Sequence, residues 1–183
     1  LNATNFSTLD ATAIGALTAT QIKGVTTTQL AGISTTALGA FTSTGIGQFS
    51  ATQLAALGAT NIGALDDTQI GGLSATQIAS LSATNLSALT ATQIGDLNTT
   101  QIGALSVTQL KSLSATDFAE ITDTQIGALS ATQIGALSAA NFSLLDATAI
   151  NGLTATQLKG VTTTQLAGLS TTAIANFADT QIG

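Results

Sequence analysis

Asp66 and Asp67 are adjacent, and Asp117, Glu120 and Asp123 fall within one seven-residue stretch, so carboxylate chemistry comes first. A hard cation such as calcium takes about six to eight oxygens, several of them from one loop. These acids are too few and too scattered for that, and no glycine-and-aspartate calcium-binding nonapeptide occurs. Hydrolysis needs a nucleophile beside a positioned base. The chain has no His and no Cys, and its three lysines (Lys23, Lys111 and Lys159) stand far apart. Groups for general acid–base work are therefore nearly absent. No catalytic residue, no cofactor-binding residue and no metal ligand is expected, and the chain does not read as an enzyme.

What must position any side chain here is a repeat. From Leu1 the sequence divides into 22 complete octads and seven further residues, without insertion or deletion. LTATQIKG (17–24), LSATNLSA (81–88) and LSATQIGA (129–136) are typical copies. Position 1 is always Leu, Ile, Val or Phe, position 6 always Ile, Leu or Phe, and position 4 is Thr except at Ala140. A longer rhythm lies above this: residues 9–32 return almost unchanged at 145–168, an offset of 136 residues or 17 octads. The chain starts and stops in phase with the octad, which points to a segment of a longer protein.

Position 2 is Ser, Thr, Asp or Asn in 21 of 23 copies, the exceptions being Gly58 and Ala178. These are the N-cap residues, whose short side chains accept from unsatisfied helix N–H groups. Three places on, position 5 is most often Gln, so Ser130-Ala131-Thr132-Gln133 reads as a capping box. Positions 1 and 6 are spaced as the two ends of a hydrophobic staple. Seven acids (Asp10, Asp66, Asp67, Asp117, Asp123, Asp146 and Asp179) lie at positions 2 to 5, and all three lysines at position 7. That is the polarity a helix dipole favours. Gly and Ala crowd positions 7 and 8, where a short helix must end. One continuous helix is a poor alternative, because its apolar stripe would drift by roughly 80° per octad.

The expected fold is thus an all-α solenoid of very short capped helices, one per octad, over residues 1–183 as one continuous unit. Helices this short are unstable alone and must stack. Two and three octads per coil both remain open. The alternative is a β-solenoid, with positions 1, 3, 6 and 8 inward and a Thr-x-Thr ladder outward. Thr18-Ala19-Thr20, Thr26-Thr27-Thr28 and Thr154-Ala155-Thr156 carry that ladder in full and distantly resemble the threonine arrays of ice-binding solenoids. In the helical reading the position-4 threonine instead packs its methyl between coils and bonds its hydroxyl to nearby backbone.

Charged residues make up 7% of the chain and the net charge is −6, which argues against nucleic acid as a partner. No run of about 18 apolar residues is present, so no membrane span is predicted. A membrane-surface role lacks its basic amphipathic face. Asn-x-Ser/Thr sequons begin at Asn2, Asn5, Asn85, Asn98 and Asn141. The octad resembles the long Ser/Thr-x-x-Gln-Ile/Leu tracts of very large bacterial secreted or surface proteins. That resemblance implies an extracellular or cell-surface location and a structural, adhesin-like part. The function expected is an elongated rod, stalk or filament that self-associates end to end. The alternative is an ice- or carbohydrate-binding module using a Ser/Thr-x-Thr face.

Overall fold

The computed structural model describes residues 2–175 and 177. Asp179 and Ala178, assigned above as an early-turn acid and a cap exception, lie outside the described residues.

Each of the first 22 octads forms one helix of four to six residues, from α1 (Ala3–Ser7) to α22 (Thr171–Ala175). The described residues contain no strand, so the β-solenoid alternative is set aside. Its physical reason is at position 2: Ser130, for example, has extended backbone and accepts from the Gln133 N–H, starting a helix where a strand would have continued. The same cap is made by Asp10, Thr18, Asn98 and Asp146.

Helices stack with those three octads away, which settles the coil at three octads, or 24 residues. One stack includes α7 (Ala51–Ala56), α10 (Ala75–Ser80), α13 (Thr99–Gly103) and α16 (Asp123–Gly127). The next includes α8 (Gly58–Ile62), α11 (Ala83–Leu86), α14 (Val107–Ser112) and α17 (Ala131–Ala136). The third includes α12 (Ala91–Gly95), α15 (Ala115–Ala119), α18 (Ala139–Phe142) and α21 (Thr163–Ala167). Positions 1 and 6 of all three stacks meet in one aliphatic core, in which Leu54, Ile62, Ile78, Ile94, Ile102 and Leu110 are fully buried. Burying each such side chain contributes about 1.5–3 kcal/mol, which helices of this length cannot supply by themselves.

The helices end at positions 7 and 8 as expected, for example at Gly24, Gly32, Gly39 and Ala104, but the small residues there also serve a second end. The helices stop without left-handed glycines there; the single positive φ among the described residues is Gly58, at a position 2 that lacks a capping side chain. Coils approach closely at these corners. A Cβ on Gly63 would lie 2.6 Å from the Ala88 carbonyl oxygen, and one on Gly72 would lie 2.8 Å from that of Ser43.

Seventeen octads is not a multiple of three. The repeated segment therefore begins with α2 (Ala11–Gly15) on the stack of α8, but returns with α19 (Ala147–Gly152) on the stack of α16. The same sequence is accommodated on a different face, so octads are interchangeable around the coil. Deleting residues 73–80, one octad, is expected to leave a cooperatively folded helical protein, whereas deleting residues 73–76 collapses the register and the melting transition. Circular dichroism melts of the two deletions check this.

Candidate functional site

The side chain that recurs at the centre of the structure is the position-5 glutamine. Every described one closes a capping box, its Oε1 accepting from the backbone N–H of position 2, as in Ser50 to Gln53 at 2.7 Å and Asn98 to Gln101 at 2.8 Å. The amide's other end crosses to the preceding coil. Gln53, Gln69, Gln77, Gln93, Gln101, Gln109, Gln133, Gln157 and Gln165 each donate from Nε2 to the position-1 carbonyl 28 residues earlier, at 2.7–2.9 Å. Gln125 does the same to Leu97. One carboxamide thus joins a helix start in its own coil to a chain turn in the preceding one. These amides are buried, Gln109 and Gln165 to 1% exposure, and no buried side-chain polar atom among the described residues lacks a partner.

Sequence reasoning found the box but missed the crossing bond. A signal for it exists: a carboxylate serves a capping box as well as a carboxamide does, yet position 5 is Gln or Asn in 17 of 23 copies and a carboxylate only at Asp117. A carboxylate accepts but cannot donate. Asn61 and Asn141 show the converse, reaching the carbonyls of Ile33 and Leu113 at 3.1 Å while making no capping box. Asp117 retains only the box, accepting from the Ser114 N–H at 2.9 Å.

The acids do not converge on an ion. Asp66, Asp67, Asp96, Asp117 and Glu120 belong to octads 9, 12 and 15 of one stack, while Asp123 belongs to the stack of α16. The Asp66 and Asp117 carboxylates are committed to caps and boxes. No group of three potential ligands gathers among the described residues. The lysines stand at helix ends, Lys23 and Lys111 in last turns and Lys159 at a C-cap, as the dipole favours.

The threonine array is split by the same glutamines. The hydroxyls of Thr18, Thr26 and Thr154 accept from helix N–H groups and donate to Oε1 of Gln21, Gln29 and Gln157, so all three are engaged within the octad. The position-4 threonines differ from the expectation: they are exposed in every copy whose side chain is described, and their hydroxyls bond to no protein group. They line the outside of all three stacks. Of the sequon asparagines, Asn85 and Asn141 are buried, Asn2 and Asn98 cap helices, and Asn5 is exposed. No helix among the described residues is long and apolar enough to cross a membrane.

No protein-family model matches the chain, and no curated protein matches it either. What the geometry defines is a solenoid of short capped helices, three to a coil, bonded from coil to coil by glutamine.

Two substitutions probe that bond from opposite sides. Gln101→Glu keeps the acceptor but places a carboxylate oxygen against the Leu73 carbonyl, and is expected to cost more than the roughly 1–3 kcal/mol of an unsatisfied neutral group. Its folded-state pKa is raised by burial, so the loss is greatest at neutral pH and recovers as pH falls, which urea titrations at two pH values would detect. Asp117→Gln, which supplies the missing donor toward Leu89, is expected to stabilise by about 1 kcal/mol, or roughly 2–4 °C in melting temperature.

Proposed function

We propose that the chain is a structural element, an extended rod or filament segment of the extracellular space or cell surface, built by continued stacking of coils. The observation that supports this best is that each described coil joins the one before it through the same contacts and carboxamide bonds, a mode of stacking that can continue. Within the solenoid, position 6 is covered by the coil that follows and position 5 by the coil that precedes. At one end Asn5, Ala13 and Gln21 stand exposed at position 5, and Gln21 uses only its Oε1. At the other end the position-6 side chains Leu166 and Ile174 are 42% and 51% exposed. Further octads, or a second copy stacked head to tail, would cover both surfaces with contacts already used inside. Such heterologous contact generates an open filament. At about 8–10 Å per helix layer, 183 residues would span roughly 60–75 Å.

Interchangeable faces support the same reading. A partner that recognises one flat face needs the face to persist along the axis, whereas the repeated segment here changes stack after 17 octads. The second reading, an ice- or carbohydrate-binding module, draws on the exposed position-4 threonines alone. Thermal hysteresis or polysaccharide retention would support it.

The rod reading is tested by sedimentation velocity and small-angle scattering across a concentration series. Elongation with concentration, reduced in Leu166→Glu while its far-UV spectrum stays helical, is the expected result. A strictly monomeric wild-type chain at all concentrations would count against end-to-end assembly.

A further inference from the structure

Two clefts open into the solenoid where the position-5 glutamine is replaced by a smaller residue. The first, about 120 Å³, is bordered by Ile14, Leu17, Ile22, Phe41 and Thr42 around Gly45. The second, about 140 Å³, is bordered by Phe118, Ile121, Leu144 and Asp146 around Ala149. In a standard octad the carboxamide spans from the position-2 N–H to the position-1 carbonyl three octads earlier. The corresponding groups are the Thr42 N–H and Leu17 carbonyl at the first cleft, and the Asp146 N–H and Ile121 carbonyl at the second. None of these four is bonded to another protein group. Each cleft is therefore lined by residues with one free backbone donor and one free backbone acceptor, at the two octad positions that a carboxamide joins elsewhere, among apolar side chains that include Phe41 or Phe118.

We propose that these clefts bind primary carboxamides. The pose is the one that Gln53, Gln69 and Gln101 adopt from within the chain: amide oxygen toward the position-2 N–H, amide nitrogen toward the position-1 carbonyl of the neighbouring coil. The amide that each cleft suits is set by the side-chain atoms that are missing there rather than by its volume. Beyond a glycine Cα, glutamine adds the equivalent of propionamide; beyond an alanine Cβ, it adds the equivalent of acetamide. The Gly45 cleft thus favours propionamide and the Ala149 cleft acetamide. Carboxylates of the same shape are excluded at neutral pH, because they cannot donate to the carbonyl. A bound amide bridges two coils and tightens a joint that lacks its own crossing bond. Both a free amide and a glutamine side chain on a flexible peptide present this chemistry.

The test is a titration of the isotope-labelled chain followed by backbone amide resonances. Propionamide is expected to shift Thr42 and Gly45 saturably, and acetamide Asp146 and Ala149. Dissociation constants on the order of tens of millimolar are expected for two exchanged hydrogen bonds at about 1 kcal/mol each. Propionate should shift neither set. Gly45→Gln should abolish the first response and leave the second intact. Octad 49–56 already combines Phe at position 1 with Gln at position 5, so this variant recreates an arrangement the fold holds. Should it fail to fold, Ala149→Gln makes the same test at the second cleft. A glutamine-containing peptide that acts at lower concentration than propionamide would assign the clefts to protein-borne amides, and a weaker one to free amides. Absence of saturable shifts, an equal response to propionate, or a response that survives the Gln substitution would overturn the proposal.

Discussion

Everything in this solenoid depends on one carboxamide holding two backbone groups at once. A helix of four to six residues leaves most of its N–H and C=O groups without intrahelical partners, so its ends outnumber its middle. Nucleating such a helix is unfavourable in water. The octad answers with a side chain at position 2 that accepts from the first turn, and one at position 5 that accepts in return. The remaining unmet group near that start is the carbonyl of position 1, which points toward the neighbouring coil. Glutamine is long enough to accept at its own helix start and donate to that carbonyl, as Gln101 does between Asn98 and Leu73. Its burial is tolerated because both ends of the amide are satisfied.

From that bond follow the coil size and the surface. Because it runs 28 residues back wherever it forms, each octad that carries it is referenced to the third one before it, in keeping with three stacks. Positions 1, 5 and 6 are consumed inside. What remains outside is position 4 threonine, with small residues around it and few charges, repeated on all three faces. The shift of the repeated segment from one stack to another shows that the scaffold does not distinguish its faces. Copy number is then the natural variable of such a protein, and it sets length.

The helices were legible because their starts are marked chemically. Ser, Thr, Asp or Asn at position 2, Gln three places on, acids early and lysines late all agree on one local structure. The coil of three octads was not legible from those marks, since capping is local and says nothing about which helix lies alongside. The preference for carboxamides at position 5 marked the need for a donor as well as an acceptor, but not which coil it reaches. The position-4 threonines were expected between coils and are found outside, because Gly and Ala at positions 7 and 8 let the backbones themselves close the gap. The clefts at Gly45 and Ala149 became meaningful only once the crossing bond had been seen.

The most direct test is the solvent exchange of glutamine side-chain amide protons, measured by NMR in the folded chain. If the carboxamides bond from coil to coil, those of Gln69, Gln93, Gln101 and Gln109 exchange far more slowly than those of exposed Gln21 and half-buried Gln48. If all of them exchange as fast as Gln21 while the chain remains helical, the glutamines merely cap their own helices and something else joins the coils.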